Sequence, residues 1–200
     1  MNKEIDISNV TLKTQRLLLR PWKMTDLDDF YEYASVDGVG EMAGWLPHKN
    51  KEESRQILEI FINEKKTFAI EYSGKVIGSL GIEKYGMEDK LTEFNGYYGR
   101  EIGYALSKDY WGQGLMPEAV KAVIDFLFND LNLDFLICGY YNFNSQSKRV
   151  QEKCGFKPYR TLIMETRMGT KEQGTFTILK NPNKHINFEF SHPETLIYDD

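Results

Sequence analysis

The chain has 200 residues, 41% of them hydrophobic, enough for one well-buried core. Its 25 basic and 30 acidic residues are spread along the sequence for a net charge of -5, so no basic stripe points to nucleic-acid phosphates, and a mildly acidic surface suits an amine-bearing partner. No apolar run reaches the roughly 18 residues of a membrane span, and MNKEIDISNVTLKTQ lacks the apolar centre and cleavage site of a signal peptide; no membrane association and a cytoplasmic location are expected.

In chain order, RLLLRPW (16–22) reads as a strand that Pro21 ends or confines to an edge. Thr25 followed by Asp28 opens a helix with Leu27, Phe30, Tyr31 and Ala34 on one face. SVDGVGEMAGWLPHKN (35–50), rich in glycine, reads as a long loop, and Asn50 with Glu53 forms a capping box for a helix carrying Ile57, Ile60 and Phe61. TFAIEY (67–72) and KVIGSLGIEKY (75–85) are strands of a hairpin turning at Ser73-Gly74, and MEDKLTEFNG is loop. A strand over 97–106 leads into a glycine turn at Gly112 and Gly114, then an apolar helix over 117–129. A strand at 134–140, a helix at about 145–154 stopped by Gly155, and strands near 159–168 and 174–180 complete the core. HINFEF alternates weakly between Pro182 and Pro193, so it is a surface extension or one more strand. Helices between strands, with hairpins also present, predict an α/β (α+β) fold: a mixed, mostly antiparallel sheet with helices on both faces, in a single domain over 1–180 with an extension over 181–200.

Backbone N–H groups at a helix start lack intrahelical partners and lie at the positive end of the dipole, so they form an anion site that bare glycines let an oxygen-rich ligand approach. Pro117 loses nothing in a first turn by lacking its N–H. The P-loop is excluded, because Gly114 is followed by Leu115 and Met116 rather than Lys-Ser/Thr, and Pro117 stands where a dinucleotide fingerprint needs glycine. A tight turn without a ligand is the alternative. On the strand before it, Glu101, Gly103 and Ala105 share one face, so the carboxylate stands beside two small residues, as a pocket requires. A partly dry acid there acquires the pKa of a base; the competing readings are a solvated charge or an ion pair with Arg100 or another base. Cys138 and Cys154 match no zinc set or disulfide scaffold, and His48, His185 and His192 lack ligand spacing, so no metal is expected.

EIGYALSKDYWGQGLMPEAV and NSQSKRVQEKCGF resemble the GNAT N-acetyltransferases over about residues 15 to 180, and within them the ribosomal-protein N-terminal acetyltransferase (RimJ/RimL-like) branch, which also includes enzymes for small amines. The resemblance implies the acyl-CoA N-acyltransferase fold and acetyl-CoA as cosubstrate. The family loop Arg/Gln-x-x-Gly-x-Gly/Ala, which holds the pyrophosphate, falls on Trp111, Gly112, Gln113, Gly114, Leu115 and Met116, with Met116 in place of the small last residue. It also implies backbone contacts of Tyr104 and Leu106 to the pantetheine arm, Glu101 as general base, and Trp45 in the acceptor pocket, although Trp45 can equally pack its loop onto the core. The tyrosine that many members use to protonate the thiolate is replaced by Gln151. In Asn-x-x-Ser-x-Arg-Val the branch pattern offers instead Asn144 near the cofactor and Ser147 as the acid or hydrogen-bond donor, while Asn144 also suits an N-cap. The expected activity is transfer of acetyl to a primary amine, a protein N-terminus or a small molecule, in a ternary complex. A non-catalytic acyl-CoA sensor and a protein-interaction module are the alternatives. The aromatic tail (Phe188, Phe190, Tyr198) raises the option of a homodimer.

Overall fold

The computed structural model describes residues 1–86 and 91–188. Along them run the strands β1 (Leu12–Lys13), β2 (Leu17–Pro21), β3 (Thr67–Tyr72), β4 (Lys75–Glu83), β5 (Gly99–Leu106), β6 (Phe135–Tyr141), β7 (Lys157–Glu165) and β8 (Lys171–Lys180). The helices are α1 (Leu27–Ala34), α2 (Lys51–Glu64), α3 (Leu115–Asp125) and α4 (Ser145–Lys153). The sheet order is β1-β2-β3-β4-β5-β6-β8-β7, with β5 parallel to β6 and antiparallel pairing from β1 through β4 and from β6 through β7. The mixed, mostly antiparallel sheet read from the sequence is what the chain forms. By contacts the chain divides into two compact units, one of Ile5–Ile82 with Gly103–Val123, the other of Met1–Glu4, Glu83–Ile102 and the chain from Ile124 onward.

In the first unit, α1 and α2 bury Phe30, Tyr33, Ala34 and Leu58 against Trp22, Ala69 and Val76. Phe30 lies within 5.1 Å of the Trp22 ring and 5.6 Å of the Phe61 ring, centroid to centroid, the spacing of tilted aromatic pairs. The β3–β4 hairpin turns on Ser73 (φ 51°) and Gly74 (φ 82°), both left-handed, as a two-residue turn matched to strand twist requires. The 35–50 loop contains a 3-10 turn at Glu41–Ala43. Asn50 Oδ1 accepts the Glu53 N–H at 3.0 Å, but the Glu53 carboxylate reaches back to the Lys49 N–H (2.7 Å) instead of the cap's own, so only half of the expected capping box forms. Gly78 is required by β5: a Cβ there would stand 2.5 Å from the Ala105 carbonyl oxygen.

The second unit is built on β6, with β5 on one side and β8 then β7 on the other. One face of these strands carries Phe135, Ile137, Tyr159 and Ile178, covered by Tyr85, Leu91, Phe94 and Phe188. Phe94 and Phe135 lie 4.4 Å apart, centroid to centroid. The other face receives α4. The helix opened by the glycine turn widens into a π turn over Phe126–Asp130. Gly155 (φ 89°) ends α4 as expected. Phe188 packs on Phe94 and Phe135 and is buried by its own chain, so it does not offer the partner-covering surface expected of the tail. Phe190 and Tyr198, and the expected loop residues 87–90, lie outside the described residues.

Candidate active site

The turn between β5 and α3 is set by two residues that only glycine suits. Gly112 and Gly114 both have φ of 76°, a region that costs other L-residues about 1–2 kcal/mol each. Space is not the reason, because a Cβ on Gly112 would meet nothing within 4 Å and one on Gly114 only Arg16 Nη2 at 3.8 Å. Among the described residues, the backbone N–H groups of Gly112, Gln113 and Gly114 donate to no carbonyl. Those of Leu115 and Met116 open α3 and have no preceding turn to bond. The three unbonded donors of Gly112, Gln113 and Gly114 thus lie at the positive end of a helix dipole, an arrangement able to hold an anion. α3 begins at Leu115 rather than 117, so Pro117 is its third residue, still within the first turn. Met116 as a whole residue is 5% exposed, packed into the core. Trp111 anchors the turn from behind, its indole N–H donating to the Leu106 carbonyl at 2.8 Å.

Two residues missed in the sequence hold this turn. Glu118, in the first turn of α3, takes Arg16 Nε at 2.7 Å and Nη2 at 2.6 Å on one oxygen, and the Thr14 hydroxyl (2.6 Å) and Arg16 N–H (2.9 Å) on the other. Burial raises the Glu118 carboxyl, but the Thr14 hydroxyl and the Arg16 N–H and guanidinium outweigh it and hold it below its ordinary value. Arg16 Nη1 also donates to the Gln113 carbonyl at 3.0 Å, turning a lone pair of the loop away from an arriving anion. An uncompensated Glu118 would repel a diphosphate; Arg16 compensates it.

On β5, Glu101 stands on the face expected of it. Neighbouring Arg100 points the other way and its Nε donates to the Lys3 carbonyl at 2.6 Å, which removes the ion-pair reading. Further along Glu101's face, a Cβ on Gly103 would meet nothing within 4 Å, so the strand leaves room there. Glu101 lines a cavity of about 30 Å³ with Tyr85, Leu91, Tyr159, Arg160 and Phe176, space for one or two waters. Among the described residues it has no hydrogen bond and no cationic partner. Burial, and secondarily the negative charge of Glu83, push its carboxyl up to about 7. That is the working range of a base at neutral pH.

The opposite wall was also illegible in sequence. A bulge between Pro158 and Arg160 breaks the alternation of β7 and brings two consecutive side chains, Tyr159 and Arg160, to one carboxylate. Arg160 Nη2 donates to Glu93 Oε1 at 2.6 Å, the Tyr159 hydroxyl donates to the same oxygen, and the guanidinium lies 5.0 Å over the Tyr159 ring. The turn carrying Glu93 and Phe94 is thereby fastened over the cavity.

Asn144 is the N-cap of α4, its Oδ1 accepting the Ser147 N–H at 3.0 Å, and Ser147 sits in the first turn, partly buried. Gln151 is 1% exposed and bonded to Ser147 Oγ at 3.2 Å. Trp45 lies flat against Gly40, where a Cβ would come within 2.2 Å of the indole, and 5.2 Å from the His48 ring; it packs its loop. The predicted residues thus fall in two groups: Trp45, Tyr104, Leu106 and 111–116 in the first unit, Glu101, Asn144 and Ser147 in the second. No cluster of three or more His, Cys, Asp or Glu side chains that could hold a metal occurs among the described residues, nor does any helix long and apolar enough to cross a membrane.

The chain is similar to known proteins in both sequence and structure. The family model for the acetyltransferase (GNAT) domain matches residues 16–157. An uncharacterized N-acetyltransferase p20 of Bacillus licheniformis is 30% identical over 132 residues, 62% of this chain and 69% of its own. The fold is shared with a GNAT-family acetyltransferase from Bacillus anthracis (TM-score 0.75, 20% identity, 86% of this chain and 99% of that one). It is also shared with a protein described as a ribosomal-protein-serine acetyltransferase from Vibrio cholerae (TM-score 0.70, 19% identity, 86% and 98%). Mycobacterium smegmatis RimJ, solved with CoA-disulfide, is a further match (TM-score 0.67, 19% identity, 86% and 87%). A helix-opening glycine turn with unbonded donors, a strand bearing a half-buried acid, and a family match over most of the chain agree: the protein belongs to the GNAT family and is an acetyl-CoA-dependent acetyltransferase.

Proposed function

We propose that the protein moves the acetyl group of acetyl-CoA to a primary amine by direct attack in a ternary complex, with Glu101 as general base. The observation that carries this reading is the Glu101 carboxyl, pushed up to about 7, facing a cavity and without a cationic partner among the described residues. An amine is protonated at neutral pH and cannot attack until its proton leaves. Glu101, directly or through a cavity water, accepts that proton, and the lone pair then forms the C–N bond at the thioester carbonyl.

The backbone donors of Gly112 through Met116 hold the pyrophosphate, Trp111 fixes the turn, and backbone groups of Tyr104 and Leu106 pair with the pantetheine arm. Held this way, the thioester is aimed rather than activated, so proximity supplies much of the rate. A β5 backbone N–H beyond Glu101 meets the charge that grows on the carbonyl oxygen. As the C–S bond breaks, the Ser147 hydroxyl hydrogen-bonds the leaving sulfur, the second proton shed by the nitrogen as it becomes an amide ends on that sulfur as CoA thiol, and Asn144 keeps its end of α4 in register with the cofactor. Trp45 borders the acceptor. Peptide N-termini head the acceptor candidates, because two proteins of the same fold carry ribosomal-protein acetyltransferase descriptions; small amines are next.

The test is a thiol-release screen of wild type and Glu101→Gln against peptides beginning Ser or Ala, amino acids, polyamines and aminoglycosides. Amine-dependent CoA release in wild type that falls about a hundredfold or more in Glu101→Gln is the expected result. Release from a productive amine that is equal in both proteins removes Glu101 from the mechanism.

A further inference from the structure

His48 ties together three pieces of the first unit. Its backbone N–H donates to the Ala34 carbonyl at the end of α1 (2.9 Å), and its Nδ1 lies 2.7 Å from the hydroxyl of Ser54, buried near the start of α2. Its ring, itself buried, stands edge-on to Phe30 and tilted against Trp45, each 5.2 Å away centroid to centroid. The Trp45 N–H donates to the Gly40 carbonyl at 3.0 Å. One residue thus fixes the Trp45 end of the 35–50 loop to both helices.

This arrangement suits a neutral ring. Among the described residues Glu53 of α2 is the only charge that acts on the imidazole, and its carboxylate is already taken by the Lys49 N–H at 2.7 Å. From α1 the imidazole meets the Phe30 ring, which is uncharged, while Asp28, Asp29 and Glu32 of that helix bond to Lys51, the Val76 N–H and Lys75. The Lys49 residue that follows His48 is exposed. Burial outweighs Glu53 and holds the imidazole below its ordinary value. A packed loop that disfavours the imidazolium is itself disfavoured, by the same free energy, once the ring is protonated.

We infer that His48 is a positioning residue that holds Trp45 at the border of the amine site only while its ring is neutral, so that protonation loosens the 35–50 loop and weakens binding of the amine. The inference rests on the place given to Trp45 above, and it makes amine affinity fall in acid for a reason separate from the base.

Two measurements on the whole enzyme test this, each on wild type and on His48→Asn, which keeps a polar atom for Ser54 but cannot take a charge. The first is backbone hydrogen exchange of residues 35–50 without ligands at about pH 7.5 and about pH 5.5, corrected for the intrinsic effect of pH on exchange. Protection should fall in acid in wild type and hold in His48→Asn. The second is KM, at saturating acetyl-CoA, for the amine that releases most thiol in the screen above. Glu101 is intact in both proteins, so its titration cancels in their ratio, and wild-type KM should rise about threefold or more relative to His48→Asn as pH falls over that range. Should His48→Asn fold poorly, Glu53→Gln serves: it keeps an acceptor for the Lys49 N–H and removes the charge that favours the imidazolium, so the exchange response should move to lower pH. Exchange that responds to pH alike in all the proteins overturns the inference and leaves Trp45 and Glu101 in their roles. Exchange that differs as expected beside a constant KM ratio overturns both the inference and the place of Trp45 beside the amine, while Glu101 stands.

Discussion

At the residue scale the structure ties one side chain to two opposite demands. Glu101 must lose its proton to work, yet burial and the charge of Glu83 favour the protonated form. kcat/KM for the amine, measured at saturating acetyl-CoA, should therefore rise with pH through about 7 in wild type. A flat profile across that range would contradict the base assignment. The same shift acts on stability. Because the folded value lies above the unfolded one, Glu101 weakens the fold progressively as pH rises from the ordinary carboxylate range to about 7, and by a constant amount above it, at most about 3 kcal/mol. Glu101→Gln removes the charge and should melt higher than wild type at alkaline pH, with the gap closing in acid. Equal melting curves at both ends would show that the carboxylate is solvated. His48 has the opposite sign. Burial holds its imidazole below the ordinary value, with Glu53 opposing, so stability that its neutral form supports through the Ser54 contact at 2.7 Å is lost as pH falls below that ordinary value.

At the scale of elements, the glycine turn is held in place by a strand far away in sequence. Arg16 and Glu118 are 102 positions apart, and no local pattern marks either as a partner of the other. The hairpin at Ser73-Gly74, the stop at Gly155 and the Asn50 cap were legible because each is decided by residues in immediate succession. The strand and helix order was likewise legible from periodicity, and the glycine turn and Glu101 from motif and alternation. The Arg160–Glu93–Tyr159 fastening was not, because a bulge breaks the alternation on which a strand reading depends. Arg16→Ala should raise KM for acetyl-CoA about tenfold through the uncovered Glu118 charge while leaving kcat nearly unchanged. Restoration of the wild-type KM in Arg16→Ala/Glu118→Gln would identify charge as the cause; no restoration would point to loss of loop geometry instead.

At the scale of the whole molecule, the chain relies on apolar and aromatic packing with no covalent staple. Cys138 is buried, Cys154 is partly buried, and both are reduced, so the melting temperature should not respond to dithiothreitol. A shift on reduction would mean that these two cysteines pair with each other or with a second molecule. The central claim is that the backbone donors of residues 112–116 grip a diphosphate. Calorimetric titration of wild type and Gly114→Val with acetyl-CoA, and of wild type with S-acetylpantetheine, which lacks the diphosphate, tests it most directly. Saturable heat for acetyl-CoA with wild type alone, and at least about a hundredfold weaker binding in the other two titrations, is the predicted result. Acetyl-CoA binding equally well to a folded Gly114→Val, or S-acetylpantetheine matching acetyl-CoA, would contradict it.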